Sequence, residues 1–353
     1  MTRLLIVGGG QSGLAAARVA RDRGWEPLVL EAGPEPVGSW TQYYDSLHLF
    51  SPRRFSSFPG YPFPGQADGY PAREEVADYL RGYARWLEVE IRTGARVANV
   101  SRGRDGGFTA HLADGDAVSG DVLIAASGSF AAPHLPALPG AEAFGGQVLS
   151  VAEYRSPEPF AGKRVVVVGA GNSAVQVGHE LTRVADASLA VRHPVQVVSQ
   201  QFAGRDLHWW LRLTRADLLT PRMLDRLVRG PLVIDSGGYQ DALRSGNLPQ
   251  RQMFTAFTPD GVAWPDGSQE PVDAVIFATG YRPHLPYLSS LGALDADGVP
   301  HHRRGLSTVQ PGLAFLGLEF QRTFSSNTLR GVHRDAHFVV SALARQRRRV
   351  ALA

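Results

Sequence analysis

Residues 163–184 read KRVVVVGAGNSAVQVGHELTRV, a run of four valines that breaks into Gly169-Ala170-Gly171 and continues with apolar positions at helical spacing. Consecutive β-branched residues suit a parallel strand buried on both faces. Glycines directly after it let the backbone turn sharply and approach a ligand closely. A helix opening at that turn aims its first N–H groups and the positive end of its dipole at the same point, which makes a phosphate cradle. The chain holds a second such stretch, RLLIVGGGQSGLAAARVA, at residues 3–20.

Working outward, each stretch opens a βαβ unit. In the first, the pattern predicts a strand over 4–7, a helix over 12–23 and a strand over 27–30 that ends in Glu31; in the second, a strand over 164–168, a helix over 172–184 and a strand over 187–191 that ends in Arg192. Glu31 lies 23 residues after Gly8, and Arg192 lies 23 residues after Gly169. A carboxylate at that place accepts hydrogen bonds from both hydroxyls of an adenosine ribose and suits FAD or NAD. An arginine there pairs with a 2′-phosphate and selects NADPH over NADH, with His193 beside it. Gly8, Gly10 and Gly13, with Ser12 as a further donor, are the expected contacts to the first pyrophosphate; Gly169, Gly171, Asn172 and Ser173 are their counterparts for NADPH. One glycine turn is a weak signal. Two, each in strand–turn–helix context with a suitable ribose residue, predict two bound dinucleotides.

Composition narrows what those dinucleotides serve. The 353-residue chain is 44% hydrophobic and 20% charged, and no stretch is apolar for the 18 or so residues of a membrane span, so a cytoplasmic protein with no membrane partner is expected. A sequence pI near 9.3 suggests nucleic acid at first sight. The net charge is only +3, however, and 33 acidic residues are spread among the basic ones, so no nucleic-acid partner is expected. Cysteine is absent. Electrons cannot pass from a flavin to a cysteine pair, and disulfides and thiolate-bound metals are excluded with that route. His333 and His337 share a helix face, but with no third ligand evident no metal is expected.

Between the units, residues 51–76 are rich in Pro, Gly and aromatics and read as an ordered excursion. A helix over 74–87 follows, then a small β-meander with turns at Gly106-Gly107 and Asp114-Gly115, whose last strand returns to the first unit at 121–125. PHLPALPG, residues 133–140, reads as the linker to the second unit. VDAVIFATG, residues 272–280, reads as the return to the first. DLHWWLRL, residues 206–213, reads as core packing; the alternative has Phe202, Trp209 and Trp210 lining a substrate pocket or covering the nicotinamide. The expected fold is α/β with two Rossmann-like dinucleotide-binding domains. An FAD domain, 1–155 and 275–353, is split by an inserted NADPH domain, 156–274.

These residues together resemble the flavin-containing monooxygenase superfamily, in particular its compact bacterial members and the plant YUCCA enzymes. The landmarks run the length of the chain: GGGQSG from Gly8, VGSW from Val37, YDSLHLFSP from Tyr44, YPAREEVADYLRGYA from Tyr70, ASG from Ala126, GAGNSA from Gly169, FATGY from Phe277 and LRGVHRDA from Leu329. The resemblance implies that Gly38 and Trp40 lie by the isoalloxazine, that Thr279 and Gly280 turn beside the cofactor, and that Asp335, at the start of the last helix, sits by the flavin. The family fingerprint F-x-G-x-x-x-H-x-x-x-Y is matched by Phe144, Gly146 and Tyr154, but Ser150 stands in the histidine place. Ser51 falls where larger members carry an asparagine at the flavin edge, which makes it the candidate catalytic side chain. The implied activity uses FAD, NADPH and O2: NADPH reduces FAD, a C4a-(hydro)peroxyflavin forms, and one oxygen atom passes to a small organic substrate by N- or S-oxidation or a Baeyer–Villiger reaction. Ser150 and Ser51 keep a second reading open, an NADPH-dependent flavin reductase or oxidase that releases hydrogen peroxide. A non-catalytic nucleotide-bound redox sensor is a third. Oligomeric state is left open.

Overall fold

The computed structural model describes residues 1–103, 106–227, 230 and 232–351. The tip of the meander's first hairpin at 104–105 and the last two residues of the expected FAD domain lie outside that range. Seven helices are described: α1 (Gln11–Arg21), α2 (Arg73–Leu87), α3 (Asn172–Leu181), α4 (Leu207–Leu213), α5 (Pro221–Leu227), α6 (Tyr239–Ser245) and α7 (Leu329–Ala351).

Two parallel-rich sheets carry the two units. The first has the order His302–Arg303, Leu306–Ser307, Leu313–Phe315, Val122–Ala125, Arg3–Val7, Glu26–Leu30, Glu90–Arg92, with only the hairpin at its outer edge antiparallel. Alternation along Arg3–Val7 explains why every residue after Arg3 is apolar. Leu4 and Ile6 pack under Leu14 of α1 and Val332 and Val339 of α7. Leu5 and Val7 face Val100, Phe108 and Ala110 of a three-stranded meander, Val97–Arg102, Phe108–Leu112 and Ala117–Gly120. Both faces are covered, so no position along the strand tolerates a polar residue.

The valine run obeys the same rule in the second sheet, whose order is Gln250–Gln252, Asp186–Val191, Arg164–Val168, Ala274–Phe277, Gln147–Ser150, all parallel. Val165 and Val167 pack on Ala174, Val177 and Leu181 of α3. Val166 and Val168 pack on Phe254, Phe257 and Trp264 from a separate antiparallel ribbon.

This topology corrects the expected domain limits. Ala274–Phe277 does not return to the first sheet; it lies between Arg164–Val168 and Gln147–Ser150 in the second. The return comes at Leu313–Phe315, beside Val122–Ala125. The limits at 155 and 275 therefore cut through a sheet whose strands span 147–277. An all-apolar parallel strand carries no mark of which sheet it joins; its flanks decide. Asp273 receives two hydrogen bonds from the Arg164 guanidinium, at 3.0 and 2.7 Å, and fixes the register of that pair of strands. On its other side Gly146 leaves room for the Asp273 carbonyl, which would lie 2.7 Å from a Cβ there.

Candidate active site

Both glycine turns sit at the C-terminal ends of their strands, where open α/β sheets bind ligands. They are built alike. A Cβ on Gly8 (φ +108°) would lie 2.6 Å from the carbonyl oxygen of Ala126, and a Cβ on Gly169 (φ +143°) would lie 2.4 Å from that of Ala278. In each case the turn presses against the end of the neighbouring parallel strand. In the first cradle Gly13 brings α1 against the turn, since a Cβ there would fall 1.8 Å from the Gly8 oxygen. Gly10 faces Gly38 across a gap that a Cβ would narrow to 3.2 Å. These are cradles that side chains would fill, and they fit two dinucleotides.

Glu31 is buried, and its carboxylate is already oriented by Gly9 N–H (2.5 Å) and Gly33 N–H (2.7 Å), one on each oxygen. Each oxygen keeps a further lone pair for a ribose hydroxyl. Ser12 is buried beneath Gly317, where a Cβ would fall 2.1 Å from the serine Oγ. Gln11 then extends the cradle toward α7. Its Nε2 donates to the Asn327 carbonyl (2.6 Å), and its Oε1 accepts from Trp40 Nε1 (3.3 Å). Gly9, Gln11, Gly317 and Asn327 were not anticipated from the sequence. Glycine triplets mark Gly9, but the other three are brought in by tertiary contacts.

The other expected residues lie in varied surroundings. Thr279 donates its hydroxyl to the His134 carbonyl, and His134 N–H donates to Gly280 (2.9 Å), so this turn ties down the linker at 133–140. Asp335 is not at a helix start: α7 begins at Leu329, and Asp335 lies in its second turn, buried and bonded to Arg322 at 2.9 Å. Burial pushes its carboxyl above the usual range against the pull of Arg322. Asn172 spends its side chain on strand Leu232–Asp235, accepting from Ile234 N–H (3.1 Å) and donating to the Leu232 carbonyl (3.4 Å). That leaves its position at the helix start, beside Gly171 and Ser173, as what it can offer a phosphate. Arg192 and His193 are exposed just beyond Asp186–Val191, and no ion pair engages either among the described residues.

The two serines in the divergent positions are both occupied. Ser51 is buried with its Oγ 2.9 Å from that of Ser56, inside a short turn. Ser150 donates both its N–H and its hydroxyl to Glu153, each at 2.8 Å. In the same fingerprint Gly146 lies under the Phe144 ring, and Tyr154 donates to Glu180 (2.8 Å).

Segment 200–219 bridges the two halves through the half-buried Asp206 and the buried Asp217. Asp206 caps α4 by accepting His208 N–H (2.7 Å), takes the Tyr70 hydroxyl at 2.6 Å and Gln200 Nε2 at 3.0 Å, and holds His208 Nδ1 at 2.9 Å. Burial pushes the Asp206 carboxyl up, but hydrogen bonds from His208, Tyr70 and Gln200 outweigh it and hold the pKa at about 2. His208 is 1% exposed, with Phe50 stacked at 6.0 Å; burial lowers its pKa, and its Nε2 has no partner among the described residues. Asp217 meets Arg330 at 3.0 Å at the start of α7, and its carbonyl accepts the Ser325 hydroxyl. The aromatic cluster of α4 is thus not core. Only His208 is buried, while Trp209 and Trp210 are half-buried and Phe202 is 66% exposed. Among the described residues no group of three or more potential metal ligands occurs, and no helix is long and apolar enough to cross a membrane.

Comparison with known proteins agrees with this geometry. Residues 5–212 match the family model described as pyridine nucleotide-disulphide oxidoreductase. The structure superposes on a flavin-containing monooxygenase from Stenotrophomonas maltophilia with a TM-score of 0.83 at 32% identity, covering 98% of this chain and 99% of that one. The chain belongs to the flavin monooxygenase superfamily. It is 32% identical to indole-3-pyruvate monooxygenase YUCCA1 of rice (Oryza sativa subsp. japonica) over 93% of this chain and 91% of the other. It is also 31% identical to an uncharacterized CzcO-like oxidoreductase of Geobacillus kaustophilus, over 96% and 97%. This flavin monooxygenase homologue is an FAD-dependent oxidoreductase that uses FAD and NADPH.

Proposed function

We propose that this flavoprotein is an NADPH-dependent monooxygenase that transfers one atom of O2 to a small organic substrate. The observation that carries the reading is the pair of like-built cradles opening at the ends of the two sheets, in a chain with no cysteine to take electrons onward. Bound FAD, reduced by NADPH, supplies the oxygen chemistry. The chain's own residues supply holding and shielding. Glu31 takes the adenosine ribose, Gly8, Gly10 and Gly13 let the backbone meet the pyrophosphate, and Gln11 fixes Trp40 and the Asn327 backbone on the way to α7. Gly169 and Gly171 receive the second pyrophosphate, and Arg192 the 2′-phosphate. The inward groups of segment 200–219, Asp206, His208 and Asp217, close it against Tyr70, Phe50 and Arg330 and supply the shielding.

One observation favours the second reading, a peroxide-releasing oxidase. The hydroxyls of Ser51 and Ser150 are turned to Ser56 and Glu153, so neither divergent position offers a free group in place of the family's Asn or His. Isotopically labelled dioxygen separates the two. With a sulfide, an amine and a ketone as probes, label in the product together with peroxide yield below NADPH consumption supports the monooxygenase. Peroxide equal to NADPH consumed with every probe would transfer the assignment to the oxidase.

A further inference from the structure

The bridging segment has an outer face that the oxygenation reading does not use. Three of its large apolar side chains stand in solvent, Phe202 at 66%, Leu213 at 60% and Leu218 at 44% exposure, and Met223 just beyond it is 49% exposed. Trp209 and Trp210 are half-buried beside them, with rings 4.7 Å apart, and Phe202 stacks edge-on against Trp210 at 5.9 Å. Such clustering within some twenty residues departs from the scattered exposed apolar groups of an ordinary surface.

Charge gives the patch a direction. Residues 201–227 contain five arginines, Arg205, Arg212, Arg215, Arg222 and Arg226, against three aspartates. All five arginines are exposed, and none forms an ion pair among the described residues; Arg205 lies over the Trp209 ring at 5.6 Å. Asp206 and Asp217 are turned inward and spent on Tyr70, His208 and Arg330. The same contacts that pin the segment over the junction thus remove two of the three carboxylates, Asp206 and Asp217, from its outer face. What faces solvent is Phe, Leu and Met interspersed with guanidinium groups that form no ion pair among the described residues. That combination matches the interface of an anionic bilayer, where aromatic and aliphatic groups enter the headgroup boundary and arginines meet lipid phosphates. A protein partner burying the same face would have to supply acids for each arginine as well as an apolar surface.

We infer that residues 202–223 form a docking face for an anionic lipid surface, so that the enzyme works adsorbed to a membrane without spanning it. This departs from the expectation of no membrane partner, which rested on the absence of a spanning segment.

The test uses the full-length flavoprotein and sedimentable vesicles of phosphatidylglycerol with phosphatidylcholine, compared with phosphatidylcholine alone. The protein should pellet with the anionic vesicles at low salt and be released at about 0.5 M salt, where exposed charges are screened. Leu213→Ser with Met223→Ser should lower partitioning by roughly tenfold or more. Arg212→Gln with Arg222→Gln should lower it by a similar factor on anionic vesicles only. Both variants should keep their flavin and their rate of reduction by NADPH, which shows that they are folded. Failure to pellet at low salt overturns the proposal, as does binding unchanged in both variants. A concentration-dependent dimer in sedimentation velocity that these substitutions abolish, with no vesicle binding, also overturns it and makes the face a subunit interface.

Discussion

Removing the Asp217 carboxylate should destabilise the bridging segment and the flavin site together. Arg330 and Asp217 lie 3.0 Å apart with 8% of each side chain exposed, and the pair joins the segment to the first turn of α7. At an effective dielectric near 20, two unit charges at that distance attract by about 5 kcal/mol, and burial offsets most of this. The pair's net contribution is therefore small. Breaking it is another matter, because Asp217→Ala strands a buried guanidinium and costs about 3–5 kcal/mol. Arg334 does not rescue it, since that side chain is 44% exposed and lies 4.0 Å from the other Asp217 oxygen with the same charge as Arg330. Unfolding entropy of about 2.1 cal/mol/K per residue over the 353 residues gives roughly 0.74 kcal/mol per degree, so Tm should fall by about 5 °C. Replacing both partners with apolar residues, Asp217→Leu with Arg330→Met, should recover most of the loss. The assay is a melt followed by flavin fluorescence, which reports cofactor release, and by far-ultraviolet circular dichroism. A shift under about 1 °C for Asp217→Ala, or a double variant less stable than the single one, would refute the reasoning.

Gly13→Ala should strip FAD from the purified protein, because a Cβ 1.8 Å from the Gly8 oxygen forces α1 off its cradle at a cost of about 1–3 kcal/mol; flavin-to-protein absorbance measures it. Arg192→Ala should raise the KM for NADPH by roughly tenfold to a hundredfold through loss of charged hydrogen bonds, and leave that for NADH nearly unchanged; equal effects would sink the 2′-phosphate assignment. His333 gives a pH prediction. Burial, then His337 and Arg18, lower its pKa from 6.5 to about 4. As pH falls from 6.5 the unfolded chain takes up this proton first, so folding stability is lost between about 6.5 and 4, by about 2 kcal/mol after discounting its partial exposure. His333→Gln should flatten that part of the profile of Tm against pH, and an unchanged slope would show that other groups set it.

What could be read from the sequence was what chemistry fixes locally. The strand over 164–168 and the start of α3 at Asn172 fell where expected, because β-branched runs and glycine turns are decided by backbone sterics within a few residues. The two glycine turns were legible for the same reason, and Glu31 falls directly after Glu26–Leu30, as the length of a βαβ unit requires. Partner choice was not legible. Nothing in AVIF says that Ala274–Phe277 joins the second sheet, and nothing near Asn172 says that a strand sixty residues on will claim its amide. Asp335 read as a helix-start acid, but the helix already opens at Leu329, directly after the turns bonded through Ser325, Ser326 and Thr328 and six residues before Asp335. The tryptophan pair failed most instructively. Hydrophobicity alone put Trp209 and Trp210 inside, yet the inward side of that segment is held by Asp206, His208 and Asp217, which are polar and need partners that only the other half of the molecule supplies. Once those groups face inward, helix geometry sends the aromatics outward. The polar residues, through the cost of leaving them unsatisfied, decided the orientation that the apolar ones were expected to set.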